Sequence, residues 1–187
     1  NLTPSIQRLV IERMKERPKL IMMDTMNFWL NNTLEDLKKT ISMVDVLCIN
    51  DEEAQQLAEE HSLLKAAERI QKMGPKFLII KKGAHGALLF GEGKIFHAPA
   101  LPLESVFDPT GAGDSFAGGF IGYLSQTDDI SFNNMKNAVI IGSVTASFNI
   151  EKFGTERLQE ITKNEISDRL AEFIELIEFD LKPEHIQ

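Results

Sequence analysis

Asp114 follows three small residues, Gly111, Ala112 and Gly113, and stands at the head of a run that continues through Ser115, Phe116, Ala117, Gly118, Gly119 and Phe120. A chain that breaks into glycines and then opens a helix leaves backbone N–H groups unpaired at the positive end of the helix dipole, where an anion binds. A carboxylate at such a place repels a phosphate. It makes sense there if it takes a proton from an attacking hydroxyl while the amides hold the charge of the group being transferred. Pro109 fixes φ just before the turn, and Asp108 and Thr110 set two oxygen-bearing side chains beside it. The same residues also serve as an ordinary helix start, with glycines for the turn and Asp114 in the first turn to suit the dipole. Composition and spacing leave these two readings level.

Resemblance separates them. Asp108-Pro109-Thr110-Gly111-Ala112-Gly113-Asp114, followed by Phe116, Gly118 and Gly119, resembles the C-terminal signature of the ribokinase-like (phosphofructokinase B) family of carbohydrate and nucleoside kinases. The resemblance implies that Asp114 is the catalytic base and that Gly111, Ala112 and Gly113 form the anion hole. It implies a monovalent cation, K⁺, held by Asp108 and Thr110 with backbone carbonyls of the loop from Asn149 to Thr155. Asn50-Asp51-Glu52-Glu53 matches the family's Asn-x-x-Glu motif, so that Asn50 and Glu53 act through water on the Mg²⁺ of ATP. From the residues alone, Asn50 is equally a good N-cap followed by acids that suit the helix dipole. The family's nucleotide-side strand corresponds to the one ending in Lys81, with Gly83 and Gly86 allowing close backbone approach. Lys81 stands where the family commonly has Thr, and either meets a phosphate or caps the strand in solvent. Asn137 falls near where the family places the adenine.

These residues need a scaffold. Thr3 or Ser5 caps a first helix that runs to Pro18, and Lys19 to Asp24 reads as a short buried strand. In doubly wound sheets ligands gather at the carboxyl ends of strands, which marks Asp24, Asn27 and Trp29 as further candidates. Some relatives carry Asp-Pro-Asn-x-Arg here, and Phe28 in place of that Arg argues against an anionic sugar acid. A helix over 33–42, a strand over 44–49, helices from Asn50 and over 62–73, and a strand over 76–82 follow. Ala87 to Phe90 and Lys94 to His97 then form a hairpin series. Helices are expected over 112–124, where Ala117, Gly118, Gly119 and Gly122 imply close packing, over 133–148, and over 165–179. The expected fold is a ribokinase-like three-layer α/β/α sandwich with a mostly parallel central sheet, residues 1–187 forming one domain.

Composition narrows the function classes. The 187 residues are 43% hydrophobic and 26% charged, which are globular values. A net charge of -8 argues against nucleic acid as a partner. One cysteine, Cys48 in an apolar run, makes no internal disulfide and suits a reducing cytoplasm. No apolar run approaches the roughly 18–20 residues of a membrane span. The third glycine of a dinucleotide fingerprint is misplaced, and Gly-x4-Gly-Lys-[Ser/Thr] does not occur. The family's Gly-Gly-rich sugar segment and its small β lid, through which a homodimer would form, do not occur in the chain, which reads as the C-terminal portion of such a kinase. The expectation is ATP-dependent phosphorylation of a sugar hydroxyl. The alternatives are an adenosine-like nucleoside kinase and a nucleotide-binding regulatory relative without turnover.

Overall fold

Three short apolar runs, β1 (Met22–Asp24), β2 (Val46–Asn50) and β3 (Phe77–Lys81), lie side by side and parallel in the computed structural model, which describes residues 2–180. Residue 1 and residues 181–187 of the expected 1–187 unit lie outside the described residues. β4 (Ala87–Gly91) and β5 (Lys94–Ala98) add antiparallel strands, so the sheet order is β1-β2-β3-β4-β5. Parallel strands are covered on both faces, which is why β2 and β3 read as unbroken apolar runs. Successive side chains alternate between the faces. Val46, Cys48, Phe77 and Ile79 enter one core with Phe116, Phe120, Met135 and Phe173, while Leu47, Ile49, Leu78 and Ile80 enter the other with Leu37, Ile41, Leu57 and Ile70.

The first core is covered by α6 (Ala112–Thr127), α7 (Phe132–Asn149) and α9 (Lys163–Ile177). The second is covered by α2 (Asn27–Asn32), α3 (Leu34–Ile41), α4 (Asp51–Ala58) and α5 (Leu63–Gln71). The expected α/β/α layering is present. α1 (Pro4–Glu12) lies on α3, with the Thr40 hydroxyl donating to the Pro4 carbonyl at 2.9 Å and Arg8 paired with Asp36. α8 (Glu156–Glu160) leads into α9.

Several boundaries differ from the sequence expectation. α1 stops at Glu12 rather than running to Pro18, its last turn lacking basic residues to meet the free carbonyls, and β1 begins at Met22 rather than Lys19. Lys19 instead reaches across to the Asp128 carboxylate. α6 runs on to Thr127, and its glycines are not all packed tightly: a Cβ at Gly118 or Gly122 would meet nothing within 4 Å. Gly119 alone of the three is closed in, against the Thr145 side chain of α7, which fixes how near the two helices lie. α9 spans Lys163–Ile177, set two residues earlier than expected by a capping box between Thr162 and Glu165.

Candidate active site

Alternation along the strands puts the last polar residues of all three parallel strands on one face. Asp24 pairs with Cys48 and Cys48 with Ile79, all on the α6 side, and Asn50 pairs with Lys81 two positions further on. Asp24, Asn50 and Lys81 therefore converge at the carboxyl edge of the sheet, under the start of α6. Lys81 reaches over β2 to Asp24, Nζ to Oδ2 at 2.7 Å, with 19% and 30% of the two side chains exposed. The other Asp24 oxygen accepts the Thr25 N–H at 2.7 Å.

The signature loop arrives above this edge. The Phe107 N–H donates to the Ile150 carbonyl at 2.8 Å, and the Thr110 N–H donates to the Asp108 carboxylate at 2.9 Å. Gly111 precedes α6 with φ +83°, a left-handed conformation that side chains other than glycine rarely adopt. The side-chain amide of Asn149, 2% exposed, accepts from the Ser115 hydroxyl at 3.1 Å and donates to the Gly154 carbonyl at 2.6 Å. It therefore clamps the first turn of α6 to the loop after α7. A Cβ built on Gly113 would lie 3.0 Å from the Lys81 ammonium, so the amine sits directly against the glycine loop. Asp114 is exposed, and with Asp24, Thr25, Met26 and Trp29 it lines a cleft of about 590 Å³. The Thr25 hydroxyl there is buried and has no hydrogen-bond partner among the described residues.

Asn50 and Glu53 form a reciprocal capping box: the Asn50 side chain accepts the Glu53 N–H at 2.7 Å, and Glu53 accepts the Asn50 N–H at 2.9 Å. Burial pushes the Glu53 carboxyl up; Asp24 adds to this, while the Asn50 amide and Lys81 oppose it. The Asn27 amide also lies near enough to Glu53 to favour its charged form. Burial works against the Lys81 charge as well, but the Asp24 carboxylate hydrogen-bonded to it and the nearby Glu53 outweigh this and hold the ammonium above its usual range. The Cys48 thiol beneath them is pushed up by burial to about 12, which makes it an inert core group. The Thr110 amide and hydroxyl hold the Asp108 carboxyl below its usual range, with the Gly154 amide contributing.

The sequence-derived candidates thus divide. Gly111, Ala112, Gly113, Asp114 and Lys81 come together at one place, with Asn50 and Glu53 at the strand end beside Lys81. Asp108 and Thr110 bond to each other next to Gly154, at the loop that also carries Asn149. Asn137 is exposed on α7, twelve residues before Asn149 and hence roughly 18 Å away along the helix. Gly83 faces open space, and Gly86 approaches the Ala98 carbonyl of β5, so its bare backbone serves the protein's own hairpin. Lys81 does not cap its strand in solvent. The Lys81–Asp24 pair and the Asn149 clamp escape a reading of the chain, because each joins residues more than thirty positions apart. Among the described residues, no group of three His, Cys, Asp or Glu side chains forms a metal cage. A Mg²⁺ site here fits one held through water, since the capping box already engages an oxygen of both Asn50 and Glu53.

The model of the pfkB family of carbohydrate kinases matches residues 5–162. The chain belongs to that family. This pfkB-family chain is 37% identical over 92 residues to a cytidine kinase from Thermococcus kodakarensis, a stretch covering 48% of the chain and 33% of the relative. Its fold matches aminoimidazole riboside kinase from Salmonella enterica, complexed with aminoimidazole riboside and an ATP analog, at a TM-score of 0.75 and 23% identity, over 86% of this chain and 55% of that one. It matches fructokinase from Vibrio cholerae O395, in its fructose-, ADP- and calcium-bound form, at a TM-score of 0.78 and 20% identity, over 87% of this chain and 54% of that one. The chain spans about a third of the length of the curated relatives it matches first, and about half of the matching solved chains. Among the described residues no helix is long and apolar enough to cross a membrane.

Proposed function

We propose that this chain carries the phosphoryl-transfer part of an ATP-dependent kinase acting on a hydroxyl of a sugar or nucleoside. The observation that supports this best is the meeting of Asp114, the bare Gly111–Gly113 backbone and the Lys81 ammonium beside one cleft. Asp114 accepts the proton of the attacking hydroxyl as the new O–P bond forms and the bond from the γ-phosphorus to the β,γ-bridging oxygen breaks, ADP being the leaving group. The amides of Gly111 to Gly113 and the positive end of α6 face the oxygens of the transferring phosphoryl group, and Lys81 adds a full positive charge beside Gly113. Bound with the nucleotide, Mg²⁺ supplies charge neutralisation between the phosphates; Asn50 and Glu53 orient its waters. Asp108, Thr110 and the loop carrying Gly154 are the donors for K⁺.

The cleft favours an acceptor with an apolar part. Met22, Met23, Met26 and Trp29 line it alongside Asp24, Thr25 and Asp114. A nucleoside base fills such a surface better than a free sugar, whose hydroxyls demand polar partners throughout. The nucleoside reading is therefore the second to test, next to the sugar.

The test uses Asp114→Asn, assayed with ATP against a panel of sugars and nucleosides in the complete gene product. Turnover falls by about 10²–10⁴ while ATP affinity stays within a few-fold. Full activity in that variant rejects Asp114 as the base. ATP binding without turnover on any acceptor, in the complete protein, favours the regulatory alternative.

A further inference from the structure

Asp24 lies in the substrate cleft, at the end of a strand, where a carboxylate suggests a contact to the acceptor. Its hydrogen bonds assign it elsewhere. One oxygen faces the Lys81 ammonium at 2.7 Å and the other accepts the Thr25 N–H at 2.7 Å. A carboxylate engaged in this way orients its neighbours before it greets a substrate. Lys81 is in the opposite state. An ammonium has three N–H donors, and the hydrogen bond it makes among the described residues, to Asp24, uses one of them. The ammonium lies 3.0 Å from where a Cβ on Gly113 would stand, one residue from Asp114. The two side chains start on β3 and β1, which are not neighbours, so the bridge crosses the end of β2. A long flexible amine without such a partner sweeps through many rotamers and loses that freedom on binding.

We propose that Asp24 is a positioning residue, which fixes the Lys81 ammonium against the Gly113 backbone so that it meets a phosphate oxygen of the nucleotide. This rests on the kinase reading above. It places the pair on the phosphate side of the site and leaves the acceptor to the neighbouring Thr25 hydroxyl and the Met and Trp surface.

Non-additivity tests it. MgATP affinity is measured by calorimetry on the full chain for Asp24→Asn, Lys81→Met and the double variant, with thermal unfolding as the folding control. Lys81→Met weakens MgATP roughly ten- to a hundredfold, the range of a charge-assisted hydrogen bond. Asp24→Asn weakens it by a smaller factor, several-fold, and adds nothing in the Lys81→Met background. Lys81→Arg, which keeps the charge, retains most of the affinity and still depends on Asp24. If the Asn variant does not fold, Asp24→Glu replaces it: moving the charge by one methylene weakens binding too, again only while Lys81 is present. Equal losses for Asp24→Asn with and without Lys81 overturn the inference, as do unchanged affinities in all variants. Failure of the parent chain to bind MgATP defeats the kinase reading and this inference with it; binding that ignores Asp24 defeats this inference alone.

Discussion

Gly113→Ala is the sharpest perturbation available at the site, because two opposing effects of known size meet there. Alanine in place of glycine in a helix gains about 1 kcal/mol. Against this, the new Cβ would lie 3.0 Å from the Lys81 Nζ, about half an ångström inside ordinary contact. The ammonium has to swing, and it is tied to Asp24 at 2.7 Å in a partly buried pair. Loosening a charge-assisted hydrogen bond of this kind costs up to about 1.5–3 kcal/mol. The net is a loss of up to about 0.5–2 kcal/mol. Removing the ammonium changes the sign. In Lys81→Met the last side-chain carbon takes the place of Lys81 Cε, 3.9 Å from the new Cβ, which is ordinary contact. There Gly113→Ala stabilises by about 1 kcal/mol, the helix gain alone. Urea unfolding of the four proteins measures the difference between the two backgrounds, expected at up to about 1.5–3 kcal/mol against an additivity error of about 0.3–0.5 kcal/mol. Identical effects of Gly113→Ala in both backgrounds refute the contact between Lys81 and the glycine loop as what keeps residue 113 a glycine.

Further expectations follow from other parts of the site. Glu53→Gln keeps an acceptor for the Asn50 amide, so the capping box and thermal stability survive; the concentration of Mg²⁺ needed for half-maximal ATP binding nevertheless rises, and an unchanged Mg²⁺ requirement removes Glu53 from the metal's surroundings. Asn149→Ala strips two hydrogen bonds from a buried clamp and leaves the Gly154 carbonyl without its donor, lowering unfolding free energy by about 2–3 kcal/mol in denaturant titrations. Glu165 is held at about 2, first by Arg157 and then by the Thr162 amide and hydroxyl, against an ordinary value of 4.5. Its folded form is the more acidic one, so the stability it contributes is full above 4.5 and fades as pH falls towards 2; Glu165→Gln flattens that acid limb in unfolding curves at successive pH values.

Much of this was legible because it is local. Apolar runs with turn residues at their ends announced β2 to β5, and Asn50 with Glu53 announced the start of α4, since a capping box is completed within four residues. The signature around Asp114 fixed both a helix start and a family. Features set by packing were hidden. α2 begins at Asn27 after Met26, which among the described residues offers it no side-chain cap hydrogen bond, so nothing local in the sequence marks its start. The glycines of α6 look alike in sequence, yet only contact with Thr145 distinguishes Gly119 from Gly118 and Gly122. Asn149 read as the first residue of a loop whose carbonyls would serve a cation. Its side-chain role depends on Ser115, which arrives from the start of α6. Glu151, Arg157 and Arg169 form one network that no local pattern marks, in which Arg169 and Arg157 lie over the Phe148 ring, at 3.6 and 5.1 Å from its centre.

The strand order β1-β2-β3-β4-β5 repeats the order of the chain itself. Among the described residues no strand lies between two that precede it, so each connection joins strands that are neighbours in the sheet. The crossovers come early and the local meander of β3, β4 and β5 comes last, when its short loops close fast. Asp24, Asn50 and Lys81, at the ends of the first three strands, all precede residues 106–114 in the chain. The glycine loop thus closes over a platform whose connections all run between sheet neighbours.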